Sequence, residues 1–329
     1  METINLWNGV TIPRMGLGTW AAGGLTIWPD GPVSYGRVTP DEAIAGIRCA
    51  YDLGIRLFDT AAAYGAGNAE LILGEALRDK ADAVIVTKCG FTGDPATRRI
   101  APVDLSPAAI RKGVEASLAR LKRPMIDAVL LHHNELDPAK ARPVFDTLEI
   151  LRTESLIECY GWSTDHVGQL ATVTDYPGFR IVEHDLNVFD NAWDMLRFVE
   201  AHRLYSLARL PLAMGLLSGK YNASAPLADT DVRSGTAPWL KYFKKGAANP
   251  SYVAILEKIA PALTTGGRSL SQGALSWILG ASDRTIPIPG FTSISHIPNN
   301  FGAVTAGRLS EDDIERLRVV VAKLMSSGT

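Results

Sequence analysis

A single (β/α)8 TIM barrel is the fold class this sequence predicts, and three observations carry the prediction. Eight short apolar runs alternate with longer segments of helical period along the 329 residues. Strict strand-then-helix alternation favours a parallel sheet. No change of composition divides the chain, so eight repeats favour closure into one barrel over an open doubly wound sheet, and residues 1–329 read as one domain.

The elements follow in chain order. Residues 2–13 read as a β-hairpin turning at Asn8-Gly9, which would plug the barrel floor. The eight strands are expected at Arg14 to Gly18, Arg56 to Asp59, Val84 to Lys88, Asp127 to His132, Ile157 to Ser163, Arg180 to Asn187, Leu204 to Pro211 and Thr285 to Pro289. Thr39-Pro40-Asp41-Glu42 opens a helix with a capping Thr, a first-turn Pro and a Glu three residues on. Ser106-Pro107 opens Ala108 to Lys122 in the same way, and Ser163-Thr164-Asp165 is expected to open a helix through Thr172. Residues 221–250 are rich in Ala, Pro, Gly, Ser and charge and read as a long loop on the functional face. The C-terminal helix opens at Ser310, with Ile314, Leu317, Val320, Val321 and Leu324 as its apolar stripe.

Composition bounds the function. Apolar content of 47% and charged content of 21% are ordinary for a globular chain. A net charge of -2 gives no global field for nucleic acid or an anionic membrane. No apolar run approaches the roughly 20 residues that span a bilayer. Met1 to Asn5 lacks the basic and apolar parts of a signal peptide. Cys49, Cys89 and Cys159 are scattered and odd in number, which argues for a reducing compartment, and the expectation is a cytoplasmic protein. None forms a Cys-x-x-Cys pair, and no metal site is expected. Cys89 reads as a buried structural cysteine, with a reactive thiol as the alternative.

Four proton-handling groups stand at or just beyond the far ends of three successive strands: Asp59 and Tyr64, Lys88, and His132. In a parallel barrel such strand ends face one shared mouth. A lysine ending a strand is often merely solvated, and His132-His133 can be a packing pair. Taken together the four suit one chemistry. An ammonium beside a phenol favours the phenolate, so Lys88 is expected to lower the Tyr64 pKa toward neutrality. Such a phenol can serve as a general acid at a carbonyl oxygen.

Several separated motifs resemble the aldo-keto reductases, from near the N-terminus to about residue 320. Gly16-Leu17-Gly18-Thr19-Trp20 is similar to the family's first strand and loop. Phe58-Asp59-Thr60-Ala61 through Tyr64-Gly65, with Glu70 and Gly74-Glu75-Ala76-Leu77, resembles its principal signature. Asp127 to His132 resembles its fourth strand, Pro211 to Tyr221 its loop after strand seven, and Ile288-Pro289-Gly290 with Asn300 its last strand and helix. The resemblance implies NAD(P)H-dependent reduction of an aldehyde or ketone, or the reverse, on a small-molecule carbonyl or alcohol substrate, by a monomer or small homo-oligomer. Tyr64 would give the proton, Lys88 would tune it, Asp59 would hold Lys88, and His132 would orient the substrate carbonyl. Donors aimed at the oxygen where charge develops stabilise the transition state.

The resemblance also implies the cofactor contacts, with NADPH expected and NADH possible. They would come from Thr19, Trp20, Asp59, Ser163, Thr164, Glu183 and Arg209 near the nicotinamide. Pro211, Leu212, Gly215, Lys220 and Arg233 would serve the pyrophosphate and ribose, and Gly290, Thr292, His296, Asn299 and Asn300 the adenosine end. The chain departs from the family pattern in this list. Thr164 and Glu183 stand where the family shows Asn and Gln, and Arg209 stands where an aromatic stacks on the ring. Strands six and seven are neighbours, so Arg209 is expected to pair with Glu183, the two substitutions compensating each other. No Arg or Lys lies in the turn after the last strand for a 2′-phosphate, which leaves Arg233 as the basic candidate.

The substrate pocket would draw on Trp20, Trp28, Tyr64, His133, Asn134, Trp239, Tyr242 and Phe243. Aromatic walls suit an apolar, ring-like or sugar-like carbonyl compound. Two other readings carry different expectations. The family includes potassium-channel β-subunits, so a redox-sensing binding module with little turnover is the alternative. A metal-dependent barrel hydrolase would need a His-x-His pair that His132-His133 does not supply.

Overall fold

The computed structural model describes residues 1–35, 38–222, 227, 231–237 and 239–327. Eight parallel strands form the barrel in chain order: β1 Gly16–Gly18, β2 Leu57–Asp59, β3 Val84–Cys89, β4 Ile126–Leu131, β5 Ile157–Ser163, β6 Phe179–Asp185, β7 Tyr205–Arg209 and β8 Thr285–Pro287. Each pairs with its sequential neighbour, and the ring nearly closes where Gly18 bridges Gly290 and the Gly18 N–H bonds Pro289 O at 3.1 Å. A side chain at Gly18 would meet Ile288 O at 2.8 Å, so this seam needs a glycine. The expected strands agree with these to within about two residues.

Among the described residues ten α-helices run between and after the strands: α1 Pro40–Asp52, α2 Asn68–Ala76, α3 Pro107–Leu121, α4 Pro138–Thr153, α5 Val167–Leu170, α6 Trp193–Ala201, α7 Pro250–Leu263, α8 Leu270–Ala281, α9 His296–Ala306 and α10 Glu311–Ser327. Thr39 and Glu42 form the reciprocal capping box before α1, and Ser106 caps α3. One helix differs from expectation. α5 is a single turn starting at Val167, and Ser163 belongs to β5. The side chains that would have capped it are engaged elsewhere. The Thr164 hydroxyl donates to Asn134 O, and Asp165 Oδ1 accepts from the Asp185 N–H at 2.8 Å.

Residues on each strand alternate between two environments. Leu57, Val84, Val86, Ala128, Leu130, Cys159, Ile181, Leu207 and Ile286 share one inner cluster, which Ile4, Leu6 and Ile12 of the N-terminal hairpin complete. Thr3–Asn5 and Thr11–Pro13 pair antiparallel around Asn8-Gly9, where Gly9 has φ of 80°. The hairpin therefore plugs the barrel. Phe58, Ile85, Val129, Leu131 and Val182 point outward into the layer between strands and helices. The same parity turns Asp59, Lys88, His132, Ser163, Glu183 and Arg209 inward, above the apolar fill.

Two features of the mouth were not legible in the sequence. Thr26–Trp28, Gly31–Val33, Gly93–Asp94 and Arg99–Ile100 form a small four-stranded sheet over it. The long loop is partly ordered by short elements, a turn at Val232–Ser234 and a ribbon of Phe243–Lys244 with Ala247–Ala248. Its residues 223–226, 228–230 and 238 lie outside the described residues. The Val232 N–H bonds Ser34 O at 2.7 Å, which ties this loop to the first one above the mouth. No described helix is long and apolar enough to cross a membrane.

Ile12 is 1% exposed within the inner cluster. Ile12→Ala should cost about 2–5 kcal/mol, read as a lower urea midpoint followed by tryptophan fluorescence. A midpoint unchanged from the parent would show that the hairpin does not brace the barrel.

Candidate functional site

The inward parity at the carboxyl ends of β2, β3, β4, β5, β6 and β7 converges on one ammonium. Lys88 Nζ donates to Asp59 Oδ1 at 2.5 Å, to Thr60 O at 3.0 Å and to Tyr64 OH at 3.3 Å. Its fourth neighbour is Glu183 Oε2 at 3.2 Å. Lys88, Asp59 and Glu183 are all buried. Burial alone would depress the lysine, but Asp59, then Glu183, outweigh it and hold its pKa above the ordinary lysine value. Burial and then the Glu183 charge raise Asp59 well above the usual carboxylate range, with Lys88 opposing.

Neighbouring structure fixes these groups. Thr87 faces outward and donates to Glu70 Oε1 at 2.6 Å, while Arg120 Nε donates to Glu70 Oε2 at 2.6 Å. Buried Glu70 thus ties α2 and α3 to the strand residue before Lys88. After Tyr64 the chain turns through Gly65, Ala66 and Gly67 at φ of 60°, 55° and 100°. A side chain at Gly65 would meet Gly23 O at 2.1 Å. Thr26 Oγ1 accepts from the Gly65 N–H at 2.9 Å. The phenol therefore sits on a braced turn.

The Tyr64 pKa differs from expectation. Lys88 does lower it, but burial, with Asp59 and Glu183 adding, holds it above the ordinary phenol value. The sequence suggested one cation beside the phenol, and the structure puts two carboxylates beside that cation. His132 lies edge-on to Tyr64, with ring centroids 5.9 Å apart. Burial, then the Lys88 charge, push its imidazole well below the usual histidine value, so it is neutral. Its Nδ1 is buried without a partner.

A cleft of about 1380 Å³ opens above this cluster. Asp59, Tyr64, His132, Ser163, Glu183 and Arg209 line its inner end. Along the wall follow Gly18, Trp20, Pro211, Leu212, Gly215 and Lys220, then Gly290, Thr292, His296, Asn299 and Asn300. The loop after β7 takes left-handed backbone at Leu210, Ala213, Met214 and Gly215, with φ of 48°, 49°, 57° and 94°. Three non-glycine residues in that region within a short loop mark stored strain, which clusters at ligand-holding segments. Trp20, Trp28 and His133 line the opposite wall with Phe91, which stacks on His133 at 4.4 Å, and exposed Trp239 stands 6.4 Å from Trp20.

Several expected residues point elsewhere. Thr19 is buried, and its hydroxyl donates to Asp59 O at 2.9 Å. Thr164 is spent on Asn134 O and on the His166 N–H. Phe243 and Tyr242 are buried in the satellite core beneath the long loop. Arg233, by contrast, does line the cleft, but it is buried on Asp231, with Nε to Oδ1 at 2.8 Å and Nη2 to Oδ2 at 2.6 Å, and its plane faces Tyr35 and Tyr221. Its charge is thus already matched. Burial pushes the Cys89 thiol up to about 12, which fits the structural reading of that residue.

Arg209 does not pair with Glu183. Its Nε donates to Asp185 Oδ1 at 2.7 Å, its Nη2 to Asp165 Oδ2, and its Nη1 to Ser163 Oγ at 2.9 Å. Asp185 lies two residues beyond Glu183, on the same inner face and in register with Arg209, a closer partner than the sequence suggested. Ser163 Oγ also donates to Glu183 Oε1 at 3.4 Å, so the hydroxyl bridges the two groups. Asp165, Asp185, Asp231 and Phe91 are the site residues that sequence reasoning missed. The spacing of Asp185 from Glu183 and of Asp231 from Arg233 was the available signal for two of them.

A barrel whose strand ends present an Asp, Tyr, Lys and His around one cleft defines a class of oxidoreductase. The chain belongs to the Aldo/keto reductase family, whose model matches residues 14–322. It is 28% identical over 329 residues to the NADH-specific methylglyoxal reductase of Escherichia coli, covering 96% of each chain. It is also 28% identical to Aldo-keto reductase YhdN of Bacillus subtilis, covering 97% of this chain and 92% of that one. The solved glycerol dehydrogenase of Gluconobacter oxydans superposes with a TM-score of 0.79 at 26% identity, over 98% of this chain and 95% of that one.

One pH dependence follows from β6. His184 is buried, with Nε2 2.7 Å from Ser206 Oγ and Nδ1 3.0 Å from Asp185 O. Burial pushes its pKa down to about 4. The unfolded chain takes up that proton near the ordinary value of about 6.5. Stability is therefore present above that value and lost as pH falls toward about 4. The urea midpoint should drop between neutrality and about pH 5, and by less in His184→Gln. Equal slopes in parent and variant would remove His184 as a cause.

Proposed function

We propose that this chain reduces an aldehyde or ketone to an alcohol with a reduced nicotinamide nucleotide, or runs the reverse reaction. The observation that carries the reading is the Tyr64 hydroxyl 3.3 Å from a buried Lys88 at the inner end of the cleft, with neutral His132 beside it. Family membership and the named relatives support the same chemistry. When bound, the nicotinamide supplies the hydride. NADPH is the expected form and NADH the alternative.

The residues present fit such a ligand. At about 1380 Å³ the cleft has room for a dinucleotide, and two buried polar atoms at its inner end, His132 Nδ1 and Glu183 Oε2, lack hydrogen-bond partners. Ser163, Glu183 and Arg209 would meet the nicotinamide end, the strained loop Leu212 to Gly215 and Lys220 the pyrophosphate, and Thr292, His296, Asn299 and Asn300 the adenosine end. Tyr64, a phenol held protonated, gives its proton to the substrate oxygen. His132, with its ring held by Phe91 and Tyr64, offers a second neutral hydrogen bond to that oxygen and orients it. Asp59 holds Lys88 in place. Trp20, Trp28, Phe91 and His133 shed water and suit an apolar, ring-bearing or sugar-like carbonyl compound.

Tyr64→Phe should lower kcat by about 100- to 10,000-fold, the usual size of general acid catalysis. NADPH should still quench the tryptophan fluorescence of that variant with a Kd near the parent's. Lys220→Ala should weaken NADPH more than NADH, because Arg233 is already matched by Asp231. Tight nucleotide binding with negligible turnover of any aldehyde by the parent would favour the redox-sensing module instead. Absence of quenching by either nucleotide would end the reading.

A further inference from the structure

We propose that Glu183 is a positioning residue for the proton-donating phenol: its carboxylate offsets the Lys88 charge, keeps Tyr64 protonated to a higher pH, and poises the site to give a proton rather than take one. This deepens the reading of Tyr64 as the donor and rests on it.

The geometry carries the idea. Lys88 has three N–H bonds, and all three are spent, on Asp59, Thr60 O and Tyr64. Glu183 Oε2 stands 3.2 Å from the same nitrogen and, though buried, has no hydrogen-bond partner. It therefore acts on Lys88 as a charge and not as a ligand. Asp59 alone would already make Lys88 a matched pair. A second carboxylate leaves the cluster with an excess of negative charge beside the phenol, away from water. In that setting an opposite charge within about 4–6 Å moves a pKa by about 1–3 units, and a like charge moves it the other way.

The groups that face Glu183 from each packed element are Asp59 on β2, Tyr64 on the following turn, Lys88 on β3, His132 after β4, Ser163 on β5, and Arg209 on β7 reached through Ser163 Oγ. His184 and Asp185 follow it on β6. Arg209 is taken up mainly by Asp185 and Asp165, and Glu183 is the weakest of its three carboxylate neighbours. His132 is neutral. Lys88 is therefore the cation that Glu183 opposes, and Tyr64 is the titratable group that hydrogen-bonds to that cation. The direction found for Tyr64, above the ordinary phenol value, agrees: after burial and Lys88, the Asp59 and Glu183 charges are the next causes.

Tyrosine ionisation in the full-length protein without nucleotide is the test. With 13Cζ-labelled tyrosine, the Tyr64 resonance is assigned by its loss in Tyr64→Phe and followed against pH. In the parent it should stay at the phenol position wherever the fold is intact. In Glu183→Gln, which keeps the acceptor for Ser163, the phenolate should appear at a pH lower by about one unit or more. Glu183→Asp withdraws the carboxylate and should fall between the two, and it serves alone if the Gln variant does not fold. The basic limb of kcat/KM for an aryl aldehyde with NADPH should move the same way. The same pH dependence of Tyr64 in parent and variants overturns the proposal. Because the titration needs no nucleotide and no turnover, it can succeed or fail independently of the proposed reaction.

Discussion

The structure turns on how one buried ammonium is satisfied. A lysine taken out of water is costly unless it is paired and hydrogen-bonded. Lys88 is buried, yet every N–H has an acceptor and two carboxylates lie within 3.2 Å. Four separate pieces of chain must be in place for this: the end of β2, the turn that carries Tyr64, β3 itself, and β6. Removing one partner of a buried pair typically costs about 3–5 kcal/mol, because the remaining charge is stranded. The cluster to which we assign the chemistry is therefore also a lock on the upper end of the barrel. Glu70 extends the lock outward through Thr87 and Arg120 to two helices.

The lower end is held by a different force. Ile4, Leu6 and Ile12 close an apolar column that runs up through Leu57, Val86, Leu130 and Ile181. Polar groups begin where that column stops, one parity step above it. The change from Val86 to Lys88, or from Leu130 to His132, is a change of height on the same inner face. A dry floor beneath the charges excludes water from below and keeps electrostatic interactions strong. The strained backbone at Leu210, Ala213 and Met214 stands at the upper rim, where a ligand can repay it.

Much of this was legible in the sequence. Strand positions, the capping box at Thr39 and the floor hairpin follow from local patterns that need no knowledge of neighbours. Asp59, Tyr64, Lys88 and His132 follow from placing reactive residues at strand ends. What was not legible is long-range pairing. Arg209 has Glu183 and Asp185 within reach on the adjacent strand, and only the register shows that Asp185 is level with it. The helix expected from Ser163-Thr164-Asp165 shrank because those side chains found distant partners in Asn134, Arg209 and the Asp185 N–H. The Tyr64 pKa was misjudged for the same reason: proximity to Lys88 was visible, and the second carboxylate beside Lys88 was not. The small sheet over the mouth escaped because two- and three-residue strands carry too little pattern to be read.

The charges within the cleft are arranged with a polarity. At the inner end two cations, Lys88 and Arg209, are each flanked by two carboxylates, Asp59 with Glu183 and Asp165 with Asp185. Ser163 joins the two groups through one hydroxyl. Four carboxylates against two cations leave this end negative. Burial raises both Asp59 and Asp185 above the usual carboxylate range, and the second carboxylate of each group adds to the shift. Farther along, exposed Lys220 stands beside His296, whose pKa is lowered by burial and by that lysine. A long ligand with an anionic middle and a neutral or cationic ring at one end gains most by placing the anion at Lys220 and the ring at the carboxylates. The reversed pose would set phosphate oxygens against Glu183 and Asp165, where like charges in a poorly solvated pocket repel. The orientation that brings a ring to Tyr64 and His132 is thus the one favoured by charge. Glu183, which sharpens that polarity, is the same residue that opposes Lys88 beside the phenol.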